Sequence, residues 1–443
     1  MRRSLAVVLA AGEGKRMKSR LPKVLHPIGG LPMLFHVLNA LAPAVEKIAV
    51  VAAPASKEEV ARAVEKKYPT AQVLVQREQR GTAHAALIAR DLIPAADDVV
   101  VVFGDTPFVS PKSIELMRSK LAEGASVAVG GMLPENPTGY GRLIMQGQQL
   151  AAIREERDAS DAERAIDFCN GGIMALAGAT ALDILDEIED DNDQNEYYLT
   201  DAVEIAHWRG LKVAAIEIAA DEALGINDRV QLAEAERLFQ AKRRAEFMAA
   251  GVMLVAPETV FFAHDTTLSR DVVVEPNVVF GPGVTVAEGV TIRAFSYIEG
   301  AYIAAGAIVG PFARLRPGAS IGEGAHIGNF VEIKQADVGE GAKINHLAYV
   351  GDATVGAKSN IGAGAITCNY DGFAKHRTDI GEGAFIGTNS SLVAPVKIGD
   401  RAYVASGSVI TEEVPADALA FGRSRQVNKP DRAAELRKKK GAP

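Results

Sequence analysis

Cysteine is nearly absent: Cys169 and Cys368 are the only two in 443 residues, and no CxxC spacing occurs. That excludes a disulfide framework and a cysteine-ligated zinc cluster, and it points to a reducing, cytoplasmic setting. Surplus positive charge is missing as well. The formal net charge is -8, so the chain lacks the dense positive field that wrapping a nucleic acid requires. No apolar run approaches the ~20 residues that span a bilayer, so no membrane insertion is expected. The start MRRSLAVVLAAG imitates a signal peptide, but its apolar stretch is short and is followed by further Lys and Arg, so export is not expected. What is present is ample core material: 48% of the residues are hydrophobic, and 443 residues suit three domains, or two if one is large.

Up to about residue 226 the chain alternates short β-branched runs with helical patterns: LAVVLA, PMLFHVLNAL, KIAVVAA, SKEEVARAVEKKY, AQVLVQ, TAHAALIARDLI and DVVVVF. Continuous apolar strands separated by helices predict a parallel sheet covered on both faces, with ligands beyond the carboxyl ends of the strands. Residues 228–250 read as one charged amphipathic linker helix with Val230, Ala233, Leu238 and Phe247 apolar. After Val252 aliphatic residues recur at every sixth place, from Leu268, Val274, Phe280, Val286, Ile292 and Ile298 onward. The frame slips by one at Ile303, again at Val338 and again at Val355. It resumes after the insertion TCNYDGFAKHRTD at Ile380, Ile386, Leu392, Ile398, Val404 and Ile410. Six is neither a helical nor a hairpin period. It is that of a hexapeptide parallel β-helix, in which each aliphatic residue stacks on the one three rungs earlier. The expected divisions are therefore 1–227, a helix at 228–250, the β-helix at 251–415 and a tail at 416–443, whose RKKKGAP reads as frayed and exposed.

The segment AAGEGKRMKSRLPK, residues 10–23, lies at the end of the first strand. It has Met17 where the dinucleotide fingerprint has its third glycine, and it lacks the spacer and Ser/Thr of a P-loop. Gly12 and Gly14 let backbone N–H groups approach a ligand, and Lys15, Arg16, Lys18, Arg20 and Lys23 would neutralise phosphate oxygens. This suits a triphosphate; the alternative is a solvated charge run. Asp105, after DVVVVFG, is an oxygen ligand candidate for Mg²⁺; the alternative is a turn acid. In NHLAYVGD the inward residue is Val350, which leaves His346 near a corner where a neutral imidazole serves as a base. Packing between coils is the alternative for that histidine.

LAAGxGxRM with LPKVLH, QxxxxGTAHA, GD at a strand end, NPTGYGR and NEYYLTD are followed by RLRPGA, IGNFVEIK, NHLAYVGD and NIGAGAITCNYDG. In this combination and order the chain, from about residue 4 to about 430, resembles the bifunctional bacterial N-acetylglucosamine-1-phosphate uridylyltransferase and glucosamine-1-phosphate N-acetyltransferase. The resemblance implies a Rossmann-like nucleotidyltransferase domain, a linker helix and a left-handed parallel β-helix. It implies that Arg16 and Lys23 meet the triphosphate of UTP, that Gln76, Gly81 and Thr82 read the uracil, and that Gly139, Glu155, Asn170 and Asn227 hold the N-acetylglucosamine moiety. Asp105 and Asn227 would bind Mg²⁺, and the sugar 1-phosphate would attack the α-phosphorus in line with no protein nucleophile.

In the second half the resemblance assigns His346 as general base, Arg316 and Lys334 to the phosphate of glucosamine 1-phosphate, and Tyr349 and Asn360 to its sugar. Asn369 and Tyr370 complete the acceptor end, and Thr388, Ser406, Arg423 and Lys429 are assigned to acetyl-CoA. It also implies a homotrimer with the acetyl site between subunits. Lys15 stands where that family usually has Thr, and Phe103 where it commonly has Tyr. Two other readings stay open: a nucleotidyltransferase for another sugar or base with a regulatory β-helix, and a non-catalytic assembly subunit. Retention of Lys23, Asp105 and Asn227 speaks against the subunit. His346 with Arg316 and Lys334 speaks against the regulatory helix.

Overall fold

The structure is a computed structural model that describes residues 2–147, 149–192 and 194–440. Residue 1 and the end of the expected tail, 441–443, lie outside the described residues. Contacts divide the chain into Met1–Phe239 and Gln240–Pro443.

In the first unit the Ser4–Ala10 strand is buried at every position. Its side chains alternate between two cores. Ala6, Val8 and Ala10 join Leu34, Val60 and Ile114 on one face, while Leu5, Val7 and Leu9 join Ile93, Ile184 and Val203 on the other. Helices thus cover both faces, which is why the strand carries no polar alternation. Parallel neighbours on either side are Lys47–Ala52 and Asp98–Phe103, with Gln72–Val75 at one edge.

The sheet is not wholly parallel as expected. Cys169–Ala177 runs antiparallel between Asp98–Phe103 and Val127–Met132, and the hairpin Arg142–Gln146 with Gln149–Arg154 joins it. A strand buried on both faces is apolar whichever way it points, so composition does not carry direction. TAHAALIARDLI also forms less helix than its pattern suggests. The α-helix covers only Thr82–Leu87, and the run ends in the 3₁₀ turn Ile93–Ala95, with Pro94 in its first turn.

The expected linker helix spans Arg229–Ala249; of its expected apolar positions Phe247 is buried, whereas Val230 is 80% exposed and Ala233 is exposed. Ala235 and Phe239 pack with Ile28, Met33 and Ile226 in the first unit. Gln240 and Phe247 belong to the second unit, where the Gln240 amide exchanges two hydrogen bonds with the backbone of Phe262.

That unit is a left-handed β-helix. Val274 pairs in register with Ile292, Ile292 with Val309 and Val309 with Ile327, so each inward aliphatic stacks on its counterpart one coil on. The frame slips are coils shortened by one residue at a corner. The insertion lengthens one coil, so that Val355 pairs with Ile380. Phe247 packs on Phe262, which stacks on Phe280 at 5.2 Å, covering the apolar interior at the start of the coil. At the far end Leu419–Ala420 still pairs with Tyr403–Val404, past the expected boundary at 415. The tail expected to fray carries an exposed helix, Arg432–Lys440.

Candidate functional site

The first strand's end, Leu9 to Gly12, forms one wall of a cavity of about 320 Å³. Lys23, Gln76, Gly81, Thr82, Phe103, Asp105 and Asn227 also line it. Gly14 must be glycine: its φ is +62°, and a Cβ there would stand 2.7 Å from Lys23 Cβ. The loop so formed leads into the 3₁₀ turns Lys15–Met17 and Lys23–Leu25.

The Lys23 ammonium contacts the Asp105 carboxylate and donates to Asn227 Oδ1 at 3.1 Å. Two hard oxygens from separate segments therefore converge on one cationic point, a donor set that fits Mg²⁺. Of the five clustered cations only Lys23 lines this cavity. Arg16 is exposed, and Lys15 pairs with Glu13. Gln76 is buried, with its amide on Gly81 O and His84 Nδ1.

A second cavity of about 230 Å³ shares Thr82, Phe103 and Glu196 with the first and adds Glu155, Asn170, Gly172, Tyr198 and Thr200. Burial raises the Glu155 pKa above the usual carboxylate value, opposed by a hydrogen bond from Thr200 Oγ1 at 3.2 Å. Asp201 beside it is pushed up to about 6, by burial first and then by Glu204 and Glu155. Gly139 is not on this cavity's wall. It is exposed, two residues before Gly141, whose Cβ would stand 3.4 Å from Glu155 Oε2. The two cavities are tied together at Gly81, where Tyr197 N donates to Arg80 O, Ala83 N to Tyr197 O, and Leu199 N to Thr82 Oγ1.

In the second unit His346 is exposed at a coil corner, while Val350 is buried in the core. Asn329 pairs with His346 in register one coil earlier, with Oδ1 2.8 Å from Nδ1. With that oxygen accepting, Nδ1 carries the proton and Nε2 is left as the basic nitrogen. Two residues beyond the stacked Ile361, Ile386 and Val404, the same corner column continues through Ala363 to the exposed Thr388 and Ser406.

The strip of strands on one side of this corner carries Arg316 and Lys334 on neighbouring coils, with Tyr349 one coil further. Arg316 is paired with Glu332 at 2.8 Å. Asn369 Nδ2 donates to Tyr349 Oη at 3.3 Å and contacts Asp352. Asn360 lies on the opposite side of the corner, on the strand paired with Lys343–His346. Tyr370, Arg423 and Lys429 are exposed, and Arg423 lies over the Phe421 ring.

Some site residues escaped the sequence reading. Lys375, within the insertion, sits beside Lys334, whose ammonium lowers its pKa. Two adjacent cations suit an anion, and the break in the repeat was the available signal. Gln79 donates to Ala11 O at 2.7 Å on the wall of the first cavity. Arg229 donates to Met17 O at 3.2 Å and lies 3.3 Å from His26 Nδ1, fastening both 3₁₀ turns of the glycine loop. Nothing local marks such a role for a residue two hundred positions from that loop.

Comparison with known proteins adds the following. A MobA-like NTP transferase domain model matches residues 6–169. A bacterial transferase hexapeptide model of six repeats matches residues 300–335 and 377–412. A curated protein named Bifunctional protein GlmU from Azorhizobium caulinodans is 59% identical, covering 99% of this chain and 98% of that one. Its namesake from Brucella anthropi is 57% identical over 100% of this chain and 97% of its own, and that from Bradyrhizobium sp. 55% over 99% and 98%.

Proposed function

Because this chain belongs to the family of bifunctional GlmU proteins, an enzyme of UDP-N-acetylglucosamine synthesis with uridylyltransferase and acetyltransferase activities, we propose the following assignment of its residues. The first unit transfers uridylyl from UTP, and the observation that carries this is the convergence of the glycine loop, Lys23, Asp105 and Asn227 on one cavity. Backbone N–H groups near Gly12 and the Lys23 ammonium bind the triphosphate. Gln76, Gly81 and Thr82 take the base, while Glu155 and Asn170 orient the sugar 1-phosphate toward the α-phosphorus. Asp105 and Asn227 hold Mg²⁺, which when bound supplies positive charge to the leaving pyrophosphate.

In the second unit His346 Nε2 takes a proton from the amine of glucosamine 1-phosphate as it attacks the acetyl thioester. Asn329 fixes the tautomer, Arg316, Lys334 and Lys375 hold the phosphate, and the corner column of Thr388 and Ser406 lies along the path of acetyl-CoA.

The working form is a homotrimer. Phe295, Phe312 and Phe330 stack at 4.9 and 5.2 Å up the corner that leads to His346, continued by Leu347. They are 52%, 44%, 54% and 61% exposed. The three phenylalanines have φ of 59°, 56° and 56°, strained for bulky residues. An outward aromatic stripe held at that cost is an interface to further copies. No helix among the described residues is long and apolar enough to cross a membrane, and the two free cysteines suit a cytoplasmic enzyme.

The test supplies acetyl-CoA and glucosamine 1-phosphate and measures free CoA thiol, then supplies UTP and the acetylated product and measures pyrophosphate. Both are expected. Absence of thiol from folded protein would remove the acetyl-transfer assignment.

A further inference from the structure

Lys23 stands on the two oxygens assigned to the metal. Its side chain is only 11% exposed and that of Asp105 15%, so neither charge is well solvated without the other. The donor set is also small. Among the described residues no group of three or more His, Cys, Asp or Glu could hold a metal ion, which leaves one carboxylate and one amide oxygen. A magnesium-like cation wants six oxygens, so most must come from water or from a phosphate ligand. The ammonium lies between its two sets of partners: its Nζ is 3.9 Å from where a Cβ on Gly12 would stand, beside the backbone that faces the cavity. A phosphate entering over Gly12 meets the same ammonium that neutralises Asp105.

We propose that Lys23 is the resident counter-ion of the metal site: it keeps divalent cations off Asp105 and Asn227 in the free enzyme and yields those oxygens when a triphosphate takes its ammonium. This rests on the reading that Asp105 and Asn227 hold the metal. Metal and nucleotide then bind with positive coupling, each raising the other's affinity by the same factor. No covalent step is involved.

The test uses the full chain and Mn²⁺ as probe. Enhanced water-proton relaxation separates enzyme-bound from nucleotide-bound Mn²⁺. Wild type should bind Mn²⁺ alone weakly and about tenfold more tightly with UTP, within the ~5–150-fold span usual for coupled sites. Lys23→Met should bind Mn²⁺ alone about tenfold more tightly than wild type and keep only the part of the UTP dependence that phosphate ligation of the metal supplies. Lys23→Gln repeats the measurement should the Met variant fail to fold. Mn²⁺ affinity without nucleotide that is unchanged or weaker in the folded variant would overturn the proposal. Asp105→Asn separates the two readings. If it binds Mn²⁺ with UTP as well as wild type does, the metal assignment itself falls. If it loses Mn²⁺ while Lys23→Met gains nothing, only the counter-ion role falls.

Discussion

At the scale of single residues, electrostatic environment decides behaviour. Asp201 has a pKa raised from the usual 3.8 to about 6 in the folded chain. The folded state therefore binds the proton more tightly than the unfolded one, and stability present below pH ~4 is lost as pH rises through ~6. Asp201→Asn should flatten that fall, seen as a smaller change in melting temperature between pH 4.5 and 7. His346 is held by Asn329 with Nε2 free. His346→Ala should lower acetyl transfer by ~10²- to 10⁴-fold, the range of general base catalysis, with pyrophosphate release from UTP unchanged. Asn329→Ala should give a smaller loss of the same activity.

Elements matter where they fasten loops. The first turns of the Arg229–Ala249 helix hold the glycine loop through Arg229 on Met17 O and His26. Arg229→Met removes a charged hydrogen bond, a loss of ~1.5 kcal/mol or more. The Michaelis constant for UTP should rise about tenfold while acetyl transfer persists, and unchanged UTP kinetics would show that the contact does not position the loop. Gly81 has φ +107°, and a Cβ there would lie 2.5 Å from Tyr197 O. Gly81→Ala should push apart the segment that joins the two cavities and impair the use of UTP and of sugar phosphate together.

For the whole molecule, the aromatic corner ladder is the feature a single coil does not need. Phe312→Glu puts a charge in the middle of the Phe295–Phe330 stack. Sedimentation should then show subunits in place of trimers, acetyl transfer should fall with assembly, and uridylyl transfer should remain. An intact trimer with full acetyl transfer would place the interface elsewhere.

The β-helix was legible because its physics is periodic. An inward aliphatic at every sixth residue, from Val274 to Ile410, is a local statement repeated until only one architecture satisfies it. The alternation of strands and helices in the first half was legible for a related reason: burial on both faces makes every position of Ser4–Ala10 apolar. Direction and facing were not legible. The antiparallel Cys169–Ala177, the exposed Val230 and the tie from Arg229 to Met17 depend on partners that hydrophobic pattern does not name. The chemistry divides in the same way. Charge and spacing made the glycine loop with Lys23, and Asp105 after its strand, candidates for a triphosphate and a cation, but they left His346 open between a base and a packed side chain; the family resemblance singled it out. Only the tertiary structure placed Lys23 on Asp105 and Lys375 beside Lys334, because charges far apart in the chain interact only once folding has brought them within a few ångströms.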